Sequence, residues 1–91
     1  MATASKLYLS IVSPEKMLFE GEVKSVSLPG AVGAFTILPH HAPIVSSLKA
    51  GVVKYVATNN DEQTFEAENG FVEMSGNKVT VCIALKHNGK K

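Results

Sequence analysis

His40 and His41 stand side by side between Pro39 and Pro43, and imidazole is the commonest metal ligand among side chains. Adjacent residues on an extended chain point to opposite faces, so this pair does not close on one ion. Further ligands would have to come from His87 or from distant carboxylates, and no metal site is expected. Cys82 is the single cysteine. A thiol nucleophile needs a lowered pKa and a neighbouring base, and Val81 and Ile83 supply neither, so Cys82 reads as a small buried apolar residue. Glu66, Glu68 and Glu73 alternate along the chain. Paired carboxylates can do acid–base work, but the wet face of a strand carries the same pattern. GxxxxGK[ST] and GxGxxG are both missing, and Gly30-Ala31-Val32-Gly33 lacks the flanking helices and basic residues of a GxxG nucleotide clamp. No catalytic residue and no cofactor is expected.

The feature that remains carries no reactive group at all. Between Lys24 and Lys49 there is no Asp, Glu, Lys or Arg. The heart of this gap, LPGAVGAFTILPHHAP (28–43), holds three of the chain's four prolines and two of its seven glycines. Segments this rich in turn residues normally run over the wet surface and take their share of charge. A turn-rich segment without charge either folds over its own core or lies against another protein. Interface centres are depleted in charge, and exposed apolar patches on small proteins mark partner sites.

Short strands must carry this segment. Leu7, Leu9 and Ile11 alternate with Tyr8, Ser10 and Val12, the period of a half-buried strand. Pro14 opens a turn, 17–19 reads as a short strand, Glu20-Gly21 as a tight turn, and 22–28 as another alternating run. Residues 29–34 read as loop, 34–38 as a strand, and 44–48 and 52–58 as strands around a turn at 49–51. Residues 63–68, an Asn69-Gly70 hairpin turn, 71–74, a turn at 75–77 and 78–85 complete a meander. No eleven-residue window keeps helical spacing without a Pro or Gly cutting through it. Many short strands with turns every 8–12 residues predict an all-β sandwich or barrel, one domain over 1–85 followed by a basic flexible tail, 86–91.

The totals agree. Ninety-one residues, 45% apolar and 19% charged, support one modest core. A formal charge of +1 offers no electrostatic footprint for nucleic acid or for an anionic membrane surface. One cysteine allows no internal disulfide. The first residues lack the uninterrupted apolar core of a signal peptide, and no apolar run reaches the length of a membrane span.

LPGAVGAFTILPHHAPIVSSLKAGVV resembles the signature of the epsilon subunit of F-type ATP synthases: Leu-Pro-Gly, a spaced Gly and Phe, Ile-Leu-Pro-x-His-Ala-Pro and Leu-Lys-x-Gly. The similarity opens at LYLSIVSPEKMLFEGEVKSVSLPG, continues through FEAENGFVEMSGNKVTVCIA, and covers about residues 6–84. The resemblance implies a flattened β-sandwich of two antiparallel sheets in the central stalk of a proton-translocating synthase. It implies no bond chemistry of its own: the subunit clamps the gamma subunit to the ring of c subunits and helps carry rotation to the catalytic head. By position, Gly30, Ala31, Val32, Gly33, Ala34 and Phe35 correspond to the family's ring-facing loop. His41, Ala42, Pro43, Ile44, Val45 and Ser46 correspond to its gamma-facing edge. Val32 and Ala34 stand where many members carry acids, so an apolar ring contact is expected. The chain ends at Lys91, so the C-terminal helical hairpin of many bacterial members is expected to be absent, and with it any bound nucleotide. The expected place is the cytoplasmic face of a bacterial inner membrane, peripheral through the complex; the mitochondrial counterpart is called delta. Two other classes stay open from the residues alone: a free-standing β-sandwich module for ligands, and a small hydrolase built on the two histidines.

Overall fold

The computed structural model describes residues 6–85, so the tail at 86–91, His87 included, lies outside the described residues. The described chain contains seven strands and no helix. They are β1 (Leu7–Val12), β2 (Met17–Gly30), β3 (Gly33–Ile37), β4 (Ile44–Leu48), β5 (Gly51–Ala57), β6 (Glu62–Ser75) and β7 (Lys78–Leu85). The all-β expectation holds, and the pairing refines it. Instead of two separate sheets, the ladders close on themselves: β1 pairs with β2 and β7, β7 with β6, β6 with β4 and β5, and β5 with β2. All pairs are antiparallel except β1–β7, which runs parallel.

The two fourteen-residue strands make this closure possible. Along β6, the residues turned inward are Phe65 and Ala67, then Gly70, Val72 and Met74, so the alternation slips by one residue. The slip is a bulge: Ala67 faces Leu85 and Asn69 faces Ala84, leaving Glu68 as the extra residue. β2 repeats the device, with Val23 opposite Ala57 and Ser25 opposite Val56, so that Lys24 is extra and burial passes from Val23 to Val26 and Leu28. At each bulge the strand bends and its inward-facing positions shift by one residue. Leu7, Leu9 and Ile11 from β1, Val79, Val81 and Ile83 from β7, and Val26, Val53, Val72 and Ile37 from the strands between fill the space enclosed. Burial of each such side chain contributes about 1.5–3 kcal/mol. Among the described residues no polar or charged side chain is buried with them.

Several expected turns are strand instead. Glu20-Gly21 continues β2, where Phe19 folds over Gly21 and a Cβ there would sit 3.2 Å from the ring. Asn69-Gly70 continues β6 past its bulge. Gly70 is glycine because an added Cβ would collide with the Cys82 carbonyl oxygen. The loop expected at 29–34 shrinks to a two-residue turn, Ala31-Val32, between β2 and β3. Cys82 is half-buried rather than buried: Val81 and Ile83 take the core positions, and Cys82 lies between them on the other side of β7.

Candidate protein-interaction site

The uncharged segment forms three connected pieces: the β2–β3 hairpin, the connection 38–43, and β4. Gly30 closes the hairpin opposite Gly33 and is buried. A Cβ on Gly30 would lie 2.5 Å from the Gly33 carbonyl oxygen and 2.8 Å from the Phe35 ring, so the ring of half-buried Phe35 lies directly on the backbone. Ala31, Val32, Gly33 and Ala34 project as an exposed tip, and Val32 is fully solvent-accessible at 103%. Neither Ala31 nor Val32 has positive φ, whereas Gly33 does, at 150°. The tip therefore departs from the usual two-residue hairpin turns, which need positive φ within the turn, and Gly33 takes up the mismatch. Ser27 and Thr36 face each other lower in the hairpin, their hydroxyls 3.0 Å apart.

The connection to β4 begins with a tight turn. The His41 N–H donates to the Leu38 carbonyl at 3.1 Å, with Pro39 in second place and His40 third at φ 69°. That is the pattern of a type II turn, in which the third position favours glycine. His40 holds it as a non-glycine residue, and its N–H donates to Asn77 Oδ1 at 2.8 Å. Half-buried His41 donates from Nδ1 to the Ala42 carbonyl at 2.7 Å, and Ala42 and Pro43 are exposed. Within β4, Ile44 and Ser46 are half-buried and Val45 stands 78% exposed.

The two groups of residues singled out in the sequence are thereby joined. The Ala31 N–H donates to the Ser47 carbonyl at 3.0 Å, the Lys49 N–H to the Pro29 carbonyl at 2.8 Å, and Gly30 pairs with Leu48. The hairpin tip and β4 are one hydrogen-bonded unit. β4 holds β6 along its full length and reaches β2 only at Gly30. Beyond that point, among the described residues, one edge of Ile44–Ser46 has no strand beside it. Of the seven large hydrophobic residues exposed among the described ones, Val32, Leu38 and Val45 belong to this segment, and Val32 and Val45 are the two most exposed. Sequence reasoning missed Asn77 and Ser47, which hold the segment from outside its two groups; nothing local in the sequence links Asn77 to a residue 37 positions earlier.

The rest of the described surface offers less chemistry. No group of three or more His, Cys, Asp or Glu side chains among the described residues is placed to hold a metal ion. Phe19 stacks on Tyr55 with ring centroids 4.1 Å apart, and Tyr55 on Phe65 at 6.4 Å, so these three rings engage one another. No helix among the described residues is long and apolar enough to cross a membrane.

Comparison with known proteins adds five matches. Residues 6–84 match the family model described as the ATP synthase delta/epsilon chain, β-sandwich domain. The chain is 46% identical over 79 residues to an ATP synthase epsilon chain of Chlorobium limicola, covering 86% of this chain and 90% of that protein. It is 40% identical over 89 residues to an ATP synthase epsilon chain of Leptospira interrogans, covering 94% and 69%. In fold it is similar to a chain of the Euglena gracilis mitochondrial ATP synthase OSCP/F1/c-ring structure, with TM-score 0.83, 14% identity, and coverage of 91% of this chain and 53% of that one. A chain of the Tetrahymena thermophila central stalk/c-ring structure matches with TM-score 0.71, 13% identity, and coverage of 91% and 66%.

Proposed function

From a chain that belongs to the ATP synthase delta/epsilon family, we propose a rotor subunit in which the Gly30–Phe35 hairpin seats on the c-ring while His41–Ser46 contacts gamma. The subunit is a non-catalytic part of the central stalk. Its work is to hold two partners in fixed relation while they turn together.

One observation carries the assignment of surfaces. The segment without Asp, Glu, Lys or Arg is where the chain exposes its two most accessible large apolar side chains, Val32 and Val45. Covering them removes apolar area from water, at about 25 cal/mol per Å². No charge is stranded beneath a partner, where an unpaired one costs several kcal/mol. The hairpin is short and its Gly30–Phe35 contact is tight, so little freedom is lost when it docks. Load applied at the tip passes to β4 through the Ala31–Ser47 and Lys49–Pro29 bonds, and from β4 to β6 along a five-residue ladder. A contact built this way transmits torque without a flexible linker. With its relatives named as bacterial epsilon chains, the subunit sits peripherally on the cytoplasmic face of the membrane, held there by the complex.

The test is a pull-down at physiological salt. The tagged chain should retain the cognate gamma subunit and detergent-solubilised c-ring, each separately. Failure to retain either one would overturn the assignment of the corresponding surface.

A further inference from the structure

We propose that Asn77 is a positioning residue for the gamma-facing edge, holding His41–Ser46 in binding geometry although it lies 37 positions after His40 in the chain. The inference rests on the reading of that edge as the gamma contact.

The Leu38-Pro39-His40-His41 turn has an intrinsic weakness. A type II turn needs positive φ at its third residue, and His40 sits there at 69°. For a residue with a Cβ, the left-handed region costs about 1–2 kcal/mol. Left to itself, the sequence would relax toward a turn with negative φ, and the chain leaving it toward Ala42 would swing away. Pro39 and Pro43 cannot help, because neither has an N–H to donate. The His41 N–H is already used inside the turn.

The restraint comes from the β6–β7 hairpin. Gly76 and Asn77 form its two-residue turn, with positive φ at Gly76 only, a type II′ arrangement. This presents Asn77 with two separate tasks. Its backbone carbonyl accepts from the Tyr8 N–H at 2.8 Å, fastening the start of β1. Its side-chain oxygen accepts from the His40 N–H at 2.8 Å. Four residues after His40, Ile44 pairs with Met74 of the same β6. His41, Ala42 and Pro43 are thus suspended between two fixings on one rigid hairpin. Removing the side-chain acceptor frees one of them and leaves the backbone bond to Tyr8 in place.

The experiment compares the full chain with Asn77→Ala and Asn77→Asp, using purified cognate gamma as the probe. Three quantities are read: affinity for gamma, amide hydrogen exchange at His40, and melting temperature. The alanine variant should bind gamma about five- to tenfold more weakly, the effect of one lost hydrogen bond, and should exchange the His40 amide faster. The aspartate variant keeps an acceptor oxygen and should restore both quantities to within about twofold, a rescue that a general loss of stability does not produce. Equal gamma affinity of the alanine variant and the parent overturns the inference. So does an aspartate variant that protects the His40 amide yet binds as weakly as alanine. If the parent itself fails to bind gamma, the reading of the edge is wrong, whereas failure among the variants alone condemns only the role of Asn77. Should the alanine variant not fold, exchange and affinity of the aspartate variant against the parent still decide: a slow His40 amide with parental affinity supports the role, and a fast amide with parental affinity refutes it.

Discussion

Ala34 is exposed beside the hairpin tip and faces Pro29 across the ladder. Replacing it with Glu leaves the fold within about 0.5 kcal/mol, because surface changes away from special features are small. In the proposed seat on the c-ring the same charge must be desolvated without a partner, and ring affinity should fall about tenfold or more. Thermal melting alongside ring capture checks this, and parallel loss of both would make Ala34 a core residue. The tyrosines give a second residue-scale expectation. Tyr8 titrates above its ordinary value of about 10 chiefly because its hydroxyl donates to Glu20, with some burial and the charges of Glu20 and Glu22 adding to it. Tyr55 is raised by burial first and by Asp61 second. In both cases the folded chain keeps a proton that the unfolded chain gives up. Their contribution to stability is therefore intact below pH about 10 and declines as pH rises past it. Absorbance titration of tyrosinate, run beside urea unfolding from neutral to alkaline pH, should show late ionisation and falling stability in the same window. Ionisation of both rings at the ordinary value would contradict it.

At the scale of elements, β1 and β7 were legible because their alternation is unbroken: Leu7, Leu9 and Ile11, then Val79, Val81 and Ile83. β6 was not. A bulge moves the inward positions from Ala67 to Gly70, and in a linear sequence this shift looks like one strand ending and another beginning. Asn69-Gly70 then supplied a turn signal at the same place, although Gly70 is present for close approach to β7 and not for a turn. Gly70→Ala should accordingly lower stability by about 2–3 kcal/mol, an overpacking cost, since its Cβ meets backbone that cannot move aside. Gly76→Ala meets open space, and its cost is confined to the left-handed conformation, about 1 kcal/mol. Urea midpoints rank the two, and a smaller loss at Gly70 would mean that β6 and β7 separate more easily than their ladder implies. The interaction segment was visible in outline through its missing charges. Its bond to Asn77 was not, because hydrogen bonds between distant turns leave no periodic trace.

For the molecule as a whole, the closed ladder and the uncharged segment both suit the proposed mechanical role. A shape of 53 × 27 × 19 Å with an all-apolar core and two long bulged strands in a closed ladder makes a stiff block. The Ala31–Ser47 and Lys49–Pro29 hydrogen bonds tie the hairpin that carries one proposed contact surface to the end of β4, the strand that carries part of the other. Of the six aromatic rings, Phe19, Tyr55 and Phe65 stack together, and Tyr8 and Phe71 are exposed. The central claim is that rotor partners cover the uncharged segment. Amide hydrogen exchange on this subunit, alone and within the intact synthase, tests it most directly. The account predicts slowed exchange at residues 30–35 and 41–46 in the complex, with the outer positions of β5 and the first half of β6 unchanged. Protection confined to β5 and β6, with 30–35 and 41–46 exchanging as fast as in the free chain, would contradict it.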